Sequence, residues 1–198
     1  MTWHEQAATV LDDGAVRLRP IAASDREPIR AVAMDPAIWR YFVTLVTDEA
    51  SFESFFDAML TDHAQGRRVV FHITDLATGR TAGSMSYGNL SEPDGRLEIG
   101  WSWLGGDFRG TGVNRHAKAL LLHNAFDRLG AERVEFKTDE RNERARRALL
   151  GIGATEEGTL RSFNPMPDGT RRNAVYYSIL RTEWAEVRER IGAGARVS

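Results

Sequence analysis

The residues best suited to ligand chemistry lie in one stretch, Gly105-Gly106-Asp107-Phe108-Arg109-Gly110-Thr111-Gly112-Val113-Asn114. An apolar, aromatic run from Leu97 to Leu104 precedes it and reads as a strand. An amphipathic run from Val113 to Leu129 follows it and reads as a helix. A glycine-rich turn at such a junction leaves backbone N–H groups bare at a helix N-terminus, where the helix dipole favours negative charge. The chemistry expected there is the binding of a phosphate or pyrophosphate. The stretch is not a P-loop, because no Gly-Lys-Ser/Thr follows. It also fails as a dinucleotide fingerprint, because Arg115 stands where a third glycine belongs.

The elements that must position this turn can be read from periodicity and turn signals. Residues 1–15 form a lead-in closed by Asp12-Asp13-Gly14, and Val16 to Pro20 alternates as a half-buried strand. Ser24 or Asp25 caps a helix to about Ala33. A second helix runs from Thr47 or Asp48 to about Gln65, with Phe52, Phe55, Phe56, Met59 and Leu60 on one side as core. Trp39, Tyr41 and Phe42 fall in a segment with no clear period. Strands follow at Val69–Thr74, Thr81–Tyr87 and Arg96–Leu104, joined by hairpin turns. After the helix ending at Leu129, Arg133–Thr138 reads as a strand and Asn142–Leu150 as a short helix. Ala154–Arg161 and Asn173–Leu180 form a last hairpin, and Glu183–Ile191 is helix-like before a frayed end.

With 198 residues the chain suits one domain with a sizeable core. A net charge of −2 offers no global attraction to nucleic acid or to an anionic membrane. No cysteine is present, which excludes disulfides, cysteine–zinc sites and a thiol nucleophile. The five histidines show no helical metal-ligand pairing, so no metal is expected. Without a signal-like start or a long apolar span, the chain reads as cytoplasmic. Of 26 basic residues only Lys118 and Lys137 are lysines.

The order of elements, together with Arg109-x-x-Gly112, resembles the GNAT superfamily of acyl-CoA-dependent N-acetyltransferases. Asn114 stands where that family's motif ends in glycine or alanine. Further matches are similar to its RimJ/RimL-like branch. They are Val16-Arg17-Leu18-Arg19-Pro20, Leu97-Glu98-Ile99-Gly100-Trp101, Val134 to Asp139 with Asn142, and Leu150-Gly151-Ile152-Gly153-Ala154 with Glu157 to Leu160. The resemblance implies an α+β fold, a splayed and mostly antiparallel sheet flanked by helices, over residues 16–182. Residues 183–198 would form a C-terminal helix and tail.

The resemblance also implies that acetyl-CoA lies between the strands Arg96–Leu104 and Arg133–Thr138. Its pyrophosphate would meet the N–H groups of Gly110, Thr111, Gly112, Val113 and Asn114 beside Arg109. Its pantetheine arm would pair near Trp103 and Leu104, and Asn142 would lie beside it. One of the arginines 141, 144, 146 and 147 could contact its phosphates. The acceptor would be a primary amine, on a small molecule or a peptide N-terminus, and a homodimer is an expectation by analogy. An amine near pH 7 is mostly protonated, so a base is required, and Glu98 is the candidate. The same carboxylate could instead be paired with one of the chain's many arginines. The family's usual general-acid positions hold Leu149 and Ala145, leaving Tyr176, Tyr177, water or no acid at all for that role, since a thiolate is already a good leaving group. Those two departures also motivate an alternative, an acyl-CoA-binding regulatory module without catalysis.

Overall fold

A computed structural model describes residues 1–192 of the chain. Its frame is one sheet of eight strands in the order β1-β2-β3-β4-β5-β6-β8-β7. They are β1 (Leu11–Asp12), β2 (Val16–Pro20), β3 (Arg68–Asp75), β4 (Arg80–Ser91), β5 (Arg96–Leu104), β6 (Arg133–Asp139), β7 (Thr155–Pro165) and β8 (Arg171–Leu180). The helices are α1 (Trp3–Ala7), α2 (Arg26–Ala33), α3 (Glu49–Ala64), α4 (Val113–His123), α5 (Glu143–Gly151) and α6 (Trp184–Ile191). No helix among the described residues is long and apolar enough to cross a membrane.

Every neighbouring pair is antiparallel except β5 and β6. Those two run parallel and meet only through Arg96↔Arg133, Leu97↔Val134 and Glu98↔Glu135. Past that point β5 continues to Leu104 paired with β4 alone, and β6 continues to Asp139 paired with β8 alone. The expected splay is therefore present, with Glu98 at its apex. A bulge lies just beyond. Ser86 pairs with Gly100 and Ser84 with Trp103, so Trp101 and Ser102 both stand opposite Met85, and Trp101 takes a φ of +50°. A bulge bends and twists its strand, which turns this arm of β5 away from its neighbour.

Each face of the sheet has its own core. Leu97, Ile99, Val134 and Phe136 pack with Leu120 and Leu121 of α4, Val187 of α6 and Trp3 of α1. On the other face Val70 and Trp103 pack with Ile29 of α2 and with Phe52, Phe56 and Met59 of α3. The aromatic stripe of α3 is thus core, as its spacing predicts. Trp39 joins it from a 3-10 turn, Pro36–Tyr41, which explains why that segment shows neither helix nor strand period.

Two stretches differ from the sequence reading. The lead-in carries α1, held by a capping box in which Thr2 and Glu5 exchange hydrogen bonds, and β1, which extends the sheet. The helix expected to reach Leu129 is α-helical only to His123. Asn124–Arg128 widens into a π-helix, with Leu129 N–H donating to the Asn124 carbonyl. The buried Tyr87 hydroxyl donates to the Leu121 carbonyl and accepts from Asn124 Nδ2, anchoring the change of pitch to β4. The frayed end expected of the last residues lies outside the described residues.

Two positions give stability predictions. A Cβ at Gly83, whose φ is +152°, would sit 2.1 Å from the Trp103 carbonyl oxygen. Gly83→Ala should lower stability by about 1–3 kcal/mol in urea denaturation. Lys118 on α4 is 7% exposed, and its amine donates to Asn114 Oδ1 at 2.6 Å. Burial pushes its pKa down to about 8, while the unfolded chain keeps the proton to roughly 10.4. The folded state thus carries a cost, on the order of 3 kcal/mol, that is full below pH 8 and relieved between there and roughly pH 10.4. Lys118→Met should raise the urea midpoint at pH 7, and the gain should shrink as pH rises through that window. A gain independent of pH would show that the buried ammonium carries no such cost.

Candidate active site

The glycine turn is built as an anion cradle. Gly110 and Gly112 take φ of +79° and +96°, a region that side chains disfavour, and Gly112 caps α4 with no side-chain hydrogen bond. The first N–H groups to turn inward are those of Arg115 and His116, both to the Gly112 carbonyl, at 2.8 and 3.0 Å. The backbone N–H groups of Gly110, Thr111, Gly112, Val113 and Asn114 donate to no group among the described residues. Consecutive bare donors at a helix N-terminus suit a pyrophosphate. The Asp13 carboxylate accepts from His116 Nδ1 at 2.6 Å, which fixes that ring near Gly112.

The arginines in and just before α5 sort themselves by partner. Arg141 clasps Asp139, Arg146 reaches Tyr177 and Glu156, and Arg147 pairs with Glu143 at i,i+4. Arg144 has no ion-pair or hydrogen-bond partner among the described residues, and neither has Arg109. Burial and the neighbouring Arg109 charge hold the Arg144 pKa below its usual range. Two neighbouring guanidiniums without a carboxylate partner among the described residues suit an anionic ligand. Asn142 caps α5, its Oδ1 accepting from Ala145 N–H at 3.1 Å, which leaves its Nδ2 available.

Glu98 sits at the apex, 3% exposed. Its Oε2 accepts from Asn89 Nδ2 at 2.8 Å and from Lys137 Nζ at 3.0 Å. Oε1 accepts no hydrogen bond among the described residues and lies beside Gly100, where a Cβ would approach it to 2.7 Å. The carboxylate is therefore paired, with a lysine and not with one of the many arginines. Lys137 reaches across the gap from β6, and its ammonium lies 5.6 Å from the Trp101 ring centre and 5.7 Å from that of Phe163.

The edge of β5 that faces the gap carries no strand partner at Trp103 and Leu104. Their side chains point into the two cores, Trp103 against Trp39 and Phe55. Only backbone faces the gap there, while the Trp103 ring reaches a hollow beside the apex. The two tyrosines left open by the sequence separate. Tyr176 pairs in register with Lys137 on the Glu98 face, whereas Tyr177 is buried on the other face and donates to Glu156. Burial, with the charges of Glu98 and Glu135 close by, raises the Tyr176 pKa. Leu149 is core.

Beside the apex lies a narrow hollow lined by Trp39, Phe42, Phe55, Met59, Trp101 and Trp103, with Arg68 and Ser86 in its wall. The Ser86 Oγ is buried without a hydrogen-bond partner among the described residues. Trp101 is the wall nearest Glu98. Its ring packs on Gly88, the residue paired with Glu98, and the Arg68 guanidinium lies 4.9 Å from its centre. Tyr41, grouped with Trp39 and Phe42 in the sequence, turns instead toward the arginines at the start of α5.

Sequence reasoning overlooked Lys137, Asn89, Trp101 and Ser86 as site residues. The one available signal was Lys137 itself, a rare lysine in a strand where Glu135 and Lys137 share a face.

Comparison with known proteins agrees with this geometry. A family model described as an acetyltransferase (GNAT) domain matches residues 15–155. A Bacillus subtilis (strain 168) protein named "Putative ribosomal N-acetyltransferase YdaF" is 34% identical over 109 residues, 55% of this chain and 58% of that protein. The chain thus aligns with little more than half the length of that relative. The solved structure of a "putative acetyltransferase" from T. thermophilus is 34% identical with a TM-score of 0.82, covering 92% of this chain and 95% of the other. A GCN5-related N-acetyltransferase from Brucella melitensis, at 23% identity, shares the fold with a TM-score of 0.85 over 92% and 83% of the two chains. With its splayed sheet and with the family model covering most of its length, the chain belongs to the GNAT family of acetyltransferases.

Proposed function

We propose that the chain transfers an acetyl group from acetyl-CoA to a primary amine by direct attack. One observation carries the reading. Five consecutive bare N–H groups, 110–114, open beside Arg109 and Arg144 onto a gap whose apex holds a buried carboxylate. The residues fit the group. The N–H cradle and the two guanidiniums would hold its phosphates, the free edge of β5 at Trp103 and Leu104 would take its amides, and Asn142 would offer its Nδ2 beside them. When bound, the thioester supplies an acetyl group activated for attack by an amine.

The chain's own residues do the rest. Glu98 Oε1, free of hydrogen bonds among the described residues, accepts a proton from the incoming ammonium. Asn89 and Lys137 fix the carboxylate through Oε2. Tyr176, on the Glu98 face, keeps its hydroxyl proton at neutral pH as any phenol does and would pass it to the departing thiolate. Burial and nearby carboxylates make it a weaker acid than a free tyrosine. A chain without cysteine has no thiol for an acyl-enzyme step, which favours direct transfer. The hollow, about 20 Å³ and so no larger than a methyl group needs, would take only the first atoms of the substituent next to the amine. Its aromatic walls, the absence of any carboxylate among the lining residues and the presence of Arg68 favour an apolar substituent over a polycation. A peptide N-terminus or a small apolar amine meets that description.

Isothermal titration with acetyl-CoA, followed by thiol release across a panel of amines and peptide N-termini, tests the whole reading. Binding with release for some amine supports it. Tight binding without release from any acceptor would indicate a binding module, and no binding would reject the reading. Arg144→Ala should weaken acetyl-CoA binding roughly tenfold, with a loss that shrinks as salt is added. Unchanged affinity would remove Arg144 from the site. Glu98→Gln should leave that affinity intact and lower turnover by about 10²–10⁴-fold, and full turnover would exclude Glu98 as the base.

A further inference from the structure

The amine nearest to the candidate base belongs to the chain. Lys137 Nζ lies 3.0 Å from Glu98 Oε2 and bridges the two arms of the splay where they begin to part. Its side chain is 20% exposed, so it borders open space and is not sealed in core. The rings of Trp101 and Phe163 hold the ammonium, as they would hold the ammonium of a visiting amine. The chain uses arginine for nearly all its positive charges, yet lysine stands here. An arginine would form the ion pair at least as well, but its guanidinium does not give up a proton near neutral pH, whereas an amine can.

We propose that Lys137 is a self-acetylation site, modified by the chain's own transferase centre when no competing amine is present. The proposal rests on the acetyltransferase reading given above. Glu98 takes one proton from the Lys137 ammonium, and Nζ forms a bond to the carbonyl carbon of the acyl-CoA thioester as the carbon–sulfur bond breaks. The electron pair of that bond leaves on sulfur, which departs as the CoA thiol carrying one proton, and a second proton passes to solvent. The product is a neutral amide. It removes the charge that faces Glu98 and fills the space in which an acceptor would meet the carboxylate, so modification lowers turnover of added amines.

The scarcity of amines makes the test selective. The others are Lys118, buried against Asn114 with no carboxylate in contact, and the exposed α-amine of Met1. The full chain is incubated with acetyl-CoA and no acceptor, then examined by intact mass and peptide mapping. One acetyl group on Lys137 is expected, with far less at Lys118 and Met1. The Lys137→Arg chain should not gain it, and Glu98→Gln should gain it roughly tenfold more slowly or worse. A thermal melt matching the parent chain shows that the Glu98→Gln variant is folded. If that variant is not folded, the parent and Lys137→Arg maps decide alone. Lys137 left unmodified in a preparation that releases thiol with an added amine overturns this proposal and leaves the transferase reading standing. Equal acetylation of Lys137 and Lys118, or no slowing in folded Glu98→Gln, marks uncatalysed chemistry and also overturns it. Failure to bind acetyl-CoA overturns both.

Discussion

The parting of β5 from β6 governs the rest of the fold. Three residue pairs join them, and beyond Glu98 and Glu135 two strands at the centre of a sheet leave facing backbone groups without partners. Buried N–H and C=O groups are rarely left so, and a gap of this kind in mid-sheet calls for an extended ligand with amides of its own. The bulge at Trp101 and Ser102 accompanies that opening, and the left-handed backbone of a bulky tryptophan is strain retained at a functional edge. The core under α4 packs against both arms, whereas the core under α2 and α3 packs against the β5 arm through Trp103.

Charge is distributed along the gap in a consistent order. At the wide end lie N–H groups and two guanidiniums that have no partner among the described residues, a grouping that suits an anion. At the apex, a buried carboxylate is engaged through one oxygen by Asn89 and Lys137 and keeps its other oxygen free. Between them lies only the backbone edge of β5. A ligand with phosphates at one end and a neutral reactive group at the other satisfies all three regions. Other basic residues of α5 are absorbed in ion pairs, which separates Arg144 from neighbours that look identical in sequence.

Much of this was legible in the chain because the signals were local. Glycines at 110 and 112 announce the turn, the stripe on α3 announces its buried face, and alternation announces the strands. The π-helical turn after His123 was not legible, because the Tyr87 hydroxyl that hydrogen-bonds beside it comes from a strand distant in sequence. Helix α1 was passed over although Thr2 and Glu5 spell a capping box, since so short a helix shows no period. For Glu98, alternation identified the face but not the partner. Lys137 reaches it from another strand, and only the parallel register of β5 and β6 brings them together. The split of Trp39 and Phe42 from Tyr41 likewise depends on a 3-10 turn that hydropathy does not encode.

In the proposed reaction the N–H groups of Gly110 to Asn114, together with the free edge of β5, receive the phosphates and amides of CoA. Amide hydrogen exchange, resolved by residue with and without CoA, reads those groups individually. Exchange should slow at residues 110–114 and along Trp101–Leu104, with little change on β1 to β3. Slowing confined to other segments, or none at 110–114 under saturating CoA, would contradict that placement.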